Sequence, residues 1–152
     1  MDAITILDQL FYIRDELNFN DVTDYFSKQG YQMISSDEHY AAYMRPDFDS
    51  FKLFFNPVDK TINCTFRTVK KVDLTTLFSY AENQYGFGSV NEEGGSSFIL
   101  ERGKLRLNIY LIAIPRNELN LSYEVIYHVA LFESLYDGKV EIIMQPPPPL
   151  ND

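Results

Sequence analysis

The sequence predicts an α+β fold, an antiparallel sheet packed with helices in the order αα-ββββ-α-βββ-α. Three observations carry this. Apolar residues at three- and four-residue spacing open the chain, runs of period two rich in aromatic and β-branched residues follow between short polar turns, and an amphipathic stretch divides those runs into two groups. The 152 residues, 45% hydrophobic and 15% aromatic, suit one domain with a packed core, here residues 1–145, followed by a proline-rich tail, 146–152.

Ile4, Leu7 and Phe11 with Ile6, Leu10, Ile13 and Leu17 form the apolar stripe of a first helix whose other faces carry Asp8, Arg14, Asp15 and Glu16. Asn18 and Asn20 break it. Asp21 is the expected N-cap of a second helix carrying Val22, Tyr25 and Phe26 and stopped by Gly30. From Tyr31 the period falls to two, and strands are expected over 31–35, 39–45, 51–55 and 61–67, separated by turns rich in Ser, Asp, Asn and Pro. In the fourth run Ile62, Cys64 and Phe66 alternate with Thr61, Asn63, Thr65 and Arg67, the pattern of one buried and one wet face.

Asp73 then caps a helix with the inner stripe Leu74, Leu77, Phe78, Ala81 and Tyr85, closed by Gly86. Strands resume over about 88–91, 97–102 and 104–114, joined by Glu92-Glu93-Gly94-Gly95 and by the tight turn Arg102-Gly103-Lys104. The stretch 117–136 carries two patterns. Leu121, Tyr123, Val125, Tyr127 and Val129 alternate as a strand does, whereas Leu121, Val125, Val129, Phe132 and Tyr136 keep helical spacing. Twenty residues is long for a strand and Asp137-Gly138 supplies a stop, so a helix is expected. A short strand at 141–144 and extended polyproline at 146–149 complete the reading.

One internal match stands out: Asp21-Val-Thr-Asp-Tyr-Phe-Ser and Asp73-Leu-Thr-Thr-Leu-Phe-Ser, 52 residues apart. It reads either as a duplication of an α-then-β unit about a pseudo-twofold or as the chance product of two Asp caps before amphipathic turns.

With 22 acidic against 13 basic residues the net charge is −9, which argues against binding to phosphate backbones or anionic lipid. The N-terminus lacks the basic and apolar regions of a signal peptide, the longest apolar stretch, Leu107 to Ile114, is too short for a membrane helix, and the one cysteine cannot form an internal disulfide. A reducing, cytoplasmic setting is expected.

No constellation identifies a reaction, a metal or a cofactor. Cys64 falls on the apolar face of its strand, where a thiol packs and does not attack. His39 and His128 lack partners at metal-ligand spacing apart from Glu124 before His128. Asp47-Phe48-Asp49 resembles paired magnesium-binding carboxylates but follows Pro46, as a turn would, and Gly86-Phe87-Gly88 lacks the rest of a phosphate loop.

Surface character carries more. The first 50 residues hold ten acids against three bases, and Asp15, Glu16, Asp21 and Asp24 concentrate that charge on the opening helices, a field that steers a basic segment or simply solubilises the face. If Phe51, Leu53 and Phe55 face the core with Leu105, Leu107, Ile109 and Leu111, then Phe54, Tyr110 and Ile112 point to the opposite face. Large apolar groups there call for a cover, from the terminal helices, a second subunit or a protein ligand. A rival reading places Tyr40, Tyr43, Phe66 and Tyr85 around a small-molecule pocket near His39 or Cys64.

The helix Leu74-Thr-Thr-Leu-Phe-Ser-Tyr-Ala-Glu-Asn-Gln-Tyr-Gly-Phe, the hairpin Phe98-Ile-Leu-Glu-Arg-Gly-Lys-Leu-Arg-Leu and Ile112-Ala-Ile-Pro entering a last helix give Asp73 to Tyr136 a hydrophobic order that resembles the secretion-chaperone-like fold of type III secretion chaperones and YbjN-type proteins. The resemblance implies a small acidic dimer without catalytic residues that binds an unfolded or extended segment of another protein. The additional N-terminal helix, long first sheet and proline tail depart from that pattern. The function expected is therefore a non-enzymatic, acidic protein-binding module, a chaperone or adaptor, with a toxin-neutralising immunity protein using the same physics and a small-molecule binder or enzyme as the alternative class.

Overall fold

In the computed structural model, which describes residues 1–117 and 122–133, an aspartate opens each long helix in the same way. Asp2 precedes α1 (Ala3–Asp15) and accepts the Thr5 backbone N–H at 2.8 Å; Asp73 precedes α3 (Leu74–Tyr85) and accepts the Thr76 N–H at 3.1 Å and its hydroxyl at 2.9 Å. Each carboxylate satisfies a donor that the first helical turn leaves unpaired. At the far end of α3, Gly86 takes the left-handed conformation (φ 72°), and its N–H bonds back to the Ala81 carbonyl.

Asp21 does not cap. It ends a 3-10 turn, Phe19–Asp21, that runs into α2 (Val22–Ser27), and its side chain makes no capping bond. Its backbone (φ −103°, ψ 2°) is not the extended conformation a cap requires, and its N–H is already bonded to the Asn18 carbonyl. Asn18 is the residue that caps, accepting the Asn20 N–H at 2.9 Å.

Eight strands follow: β1 (Gln32–Asp37), β2 (Tyr40–Met44), β3 (Ser50–Asn56), β4 (Thr61–Thr68), β5 (Asn91–Glu93), β6 (Ser97–Arg102), β7 (Leu105–Asn117) and β8 (Ser122–Glu133). They form one antiparallel sheet in the order β1-β2-β3-β4-β8-β7-β6-β5. Each half is a four-stranded meander that runs from an edge to the centre and is preceded by helix, and β4 and β8 join the halves. The first four strands and the hairpin at Gly103 lie close to where the sequence places them. The strand expected at 88–91 instead forms at 91–93, where Asn91, Glu92 and Glu93 pair with Ile99, Phe98 and Ser97, so that Gly94 and Gly95 alone supply the positive φ of the turn.

The expected last helix is overturned: Ser122–Glu133 is strand β8, so the order ends ββββ and not βββ-α. Two patterns coincide in this stretch, and tertiary context selects between them. β8 is flanked on both edges and buries Ile126 and Phe132 on one face and Val129 and Leu131 on the other, so its sequence is near-continuously apolar, which also satisfies a helical stripe. The pairing needs of β4 and β7, met by Cys64↔Leu131 and Leu107↔Leu131, decide it. The strand expected at 141–144 and the proline tail lie outside the described residues.

The helices among the described residues all sit on one face of the sheet, here the inner face. Leu53, Cys64, Leu131, Leu107 and Leu100 stand in one row across five strands, each fully or almost fully buried. Leu10 of α1 lies over this row, its carbonyl 3.9 Å from the Cys64 sulfur. Phe26 of α2 packs on Tyr43 and Phe51, and Phe78 of α3 on Phe98. Phe11 stacks on Tyr85 at 3.9 Å, and the Tyr85 and Tyr80 hydroxyls both donate to Asp8, binding α1 to α3. Among the described residues no helix is long and apolar enough to cross a membrane.

Candidate functional site

The opposite, outer face of the sheet carries no helix among the described residues. Strand parity sets its content: the residues that alternate with the buried rows point outward. Phe54, Tyr110 and Ile112 do so, as their parity predicts. Phe54 is 37% exposed and tilts against Tyr40, Ile112 and Ile114 are each 40% exposed, and Tyr110 is half-buried. Asn63, Ile126 and Phe132 on this face are buried.

Between these apolar positions runs a polar band. One row pairs Lys52 with Thr65, Thr65 with Ala130 and Ala130 with Asn108; the next pairs Arg67 with His128 and His128 with Tyr110. The Tyr110 and His128 rings stack with centroids 4.5 Å apart and planes 8° from parallel. Burial, with Arg67 and Lys52 nearby, pushes the His128 imidazole down to about 4, so the ring is neutral at pH 7. Its Nε2 and the Asn108 Oδ1 are enclosed without a hydrogen-bond partner among the described residues. Unpaired polar atoms of this kind are uncommon in a folded chain and mark a place where a partner group is missing or strain is tolerated.

The acidic residues singled out in the sequence lie elsewhere. Asp15, Glu16, Asp21 and Asp24 are all exposed, on or beside α1 and α2 over the inner face. Asp15 is bonded by Arg14, which also reaches Glu133 at 3.0 Å, and Asp24 pairs with Lys28 at 3.0 Å. The sheet therefore stands between these acids and Phe54, Tyr110 and Ile112; one short segment does not touch both sets.

Asp47 and Asp49 have partners other than a metal. Asp49 is fully buried and accepts from Arg45 at 2.9 Å and from the Thr68 hydroxyl at 2.6 Å, with the Lys70 ammonium 3.3 Å away. Desolvation opposes ionisation of Asp47, but hydrogen bonds from Lys70, the Asp49 N–H and Arg45 outweigh it and hold that carboxyl at about 2. Two cations thus neutralise two anions in the β2–β3 turn. At its tip Phe48 is 66% exposed with φ 69°, a left-handed conformation unusual for a bulky side chain.

The other candidates do not assemble. Cys64 is in the core, where burial pushes its thiol well above the ordinary range, while His39 stands at the β1–β2 turn beside Phe55. Tyr40 faces outward, Tyr43 is buried with its hydroxyl 2.8 Å from that of Thr23, Phe66 is buried in the sheet core and Tyr85 is held between Phe11 and Asp8, so these four rings do not line one cavity. No three His, Cys, Asp or Glu side chains among the described residues gather to hold a metal ion.

Lys52 and Asn108 were not singled out by sequence, Arg67 entered only as one of the wet residues of its strand, and His128 was weighed only as a metal ligand. The parity that turns Phe54 outward also turns Lys52 outward two residues earlier, and Arg67 alternates with Cys64 and Phe66, so half of the band was there to be read. His128 and its register partners were hidden by the helical reading of 117–136. Comparison with family models, with curated proteins and with solved structures finds no match to this chain.

Proposed function

We propose that this chain is a non-enzymatic protein-binding module whose outer sheet face receives an extended segment of another polypeptide. The observation that carries the reading is the outer face itself: Phe54, Ile112 and Ile114 project from a sheet whose described helices all lie on the other side, and exposed apolar side chains with no helix above them among the described residues are what a docking surface presents. The acidic helical layer is a second, separate surface, which steers approach through its long-range field. The narrower role, a chaperone or adaptor for a secreted protein, rests on the sequence resemblance, and an immunity protein would use the same two surfaces.

We also infer that the two halves are copies of one helix-plus-four-strand unit. Their support is the Asp-x-x-Thr cap shared by Asp2 and Asp73 and the edge-to-centre run of both meanders; the match of Asp21 to Asp73 supports it less, because Asp21 caps nothing.

The binding reading is tested by copurifying the tagged chain and the F54D/I112D variant from the same cells and quantifying proteins and small molecules by mass spectrometry. The expected result is a protein retained by the wild type and lost from the folded variant. The same proteins on both, or a small molecule in stoichiometric amount with no protein, overturns it.

A further inference from the structure

Resting on the reading that the outer face takes a polypeptide segment, we propose that this segment is extended, apolar at its two ends and acidic in its middle. The opening helices invite the opposite expectation, a basic ligand, but their acids lie across the sheet from the apolar positions. In the central rows of the outer face, those of Lys52 and Arg67, the charge has the other sign. Lys52 is exposed and Arg67 half-buried, in adjacent rows of adjacent strands. Arg14, Lys28, Arg45 and Lys70 each hold a carboxylate, yet among the described residues neither Lys52 nor Arg67 has an ion-pair partner, in a chain of net charge −9.

The acids on this face do not supply one: Asp37, in the row of Tyr40 and Phe54, accepts the His39 N–H, and Glu93 stands on the edge strand β5. Glu101 lies out on β6 with its carboxylate 3.7 Å from Arg106, and Glu124 stands two rows beyond His128 along β8. A half-buried guanidinium without a counter-charge is a place for an incoming carboxylate, since such a pair is stronger where water is partly excluded. The His128 ring beside it, held flat by Tyr110, brings no competing carboxylate into that row.

The apolar ends follow from the same register. Phe54 lies one row beyond Lys52, and Ile112 one row beyond Tyr110. From the row of Phe54 to that of Ile112 is three pleats, roughly 20 Å along the strands, and from β3 to β7 is three strand spacings, roughly 14 Å across, so the diagonal of roughly 25 Å is the reach of about seven extended residues. A segment laid diagonally across β3, β4, β8 and β7 would place apolar side chains over the two ends and a carboxylate over Lys52 and Arg67. The acidic helical layer repels such a segment from the inner side of the sheet.

A random twelve-residue peptide library displayed on phage, panned against the full chain, tests this. Wild type is expected to enrich peptides with Asp or Glu between apolar residues. The best of these should lose about tenfold or more in affinity for K52Q/R67Q, and K52E/R67E should select basic-centred peptides instead, with thermal unfolding showing each variant folded. Basic peptides selected by the wild type, or acidic ones that bind the variants unchanged, overturn the inference while the protein-binding reading stands. So does a face already taken by a second copy or by the chain itself, seen as no enrichment together with the mass from light scattering. No enrichment and no copurifying protein overturn both.

Discussion

The two faces of the sheet are built from the same strands and differ in what their side chains are asked to do. On the inner face Leu53, Cys64, Phe66, Leu107 and Leu131 are sealed under three helices; one residue further along the same strands, Lys52, Thr65, Arg67, Asn108 and His128 form a polar band flanked by partly exposed Phe54 and Ile112. The difference teaches that stability is concentrated on one face and chemistry left available on the other. Because the side-chain period in a strand is two, a single residue of register separates the roles.

That contrast can be broken most sharply with a thiol reagent. Wild-type Cys64 should react roughly a thousandfold or more slowly than the second thiol of F54C, because the inner position opens only with the fold while the outer one is always accessible; comparable rates would show that α1 does not seal the core. Next comes truncation. F66A should lower the free energy of unfolding in urea by about 4 kcal/mol, whereas F54A should change it by under about 1 kcal/mol. Equal losses would remove the distinction between the faces.

A smaller effect lies in the β2–β3 turn. F48G should raise stability by about 1 kcal/mol, since glycine adopts the left-handed conformation without the clash that phenylalanine suffers. A loss would mean that the ring contributes packing.

The outer face also has a pH signature. Unfolded, His128 takes its proton near 6.5; folded, only at about 4. Between those values the unfolded chain binds more protons, so this group's contribution is complete above pH 6.5 and is lost as pH falls toward 4. The expected outcome is a melting temperature that declines across that window, less steeply in H128Q; identical slopes would place the proton uptake elsewhere.

Much of this architecture can be read from the chain because local chemistry and tertiary need agree there. Asp73, the Gly86 stop and the alternation of Ile62, Cys64 and Phe66 each say once what the fold then does. Legibility fails where they part. At 122–133 an apolar run dense enough for both faces of a central strand also fills a helical stripe, and only the open edges of β4 and β7 choose between them. Asp21 has the right side chain for a cap but the wrong backbone, which a preceding 3-10 turn imposes. For the candidate site, parity along β3 and β7 brings out Phe54, Tyr110 and Ile112, but Lys52, Arg67 and His128 become neighbours only through pairings between residues as far apart in sequence as Arg67 and His128.

That late pairing governs how the molecule comes into being. A nascent chain halted before Ser122 would have made the first meander and three strands of the second, with nothing to join them, leaving β4 and β7 each with a bare edge and the core divided. The insertion of β8 between strands synthesised far apart makes closure a final, long-range event, of the kind that slows folding and exposes unfinished intermediates to aggregation.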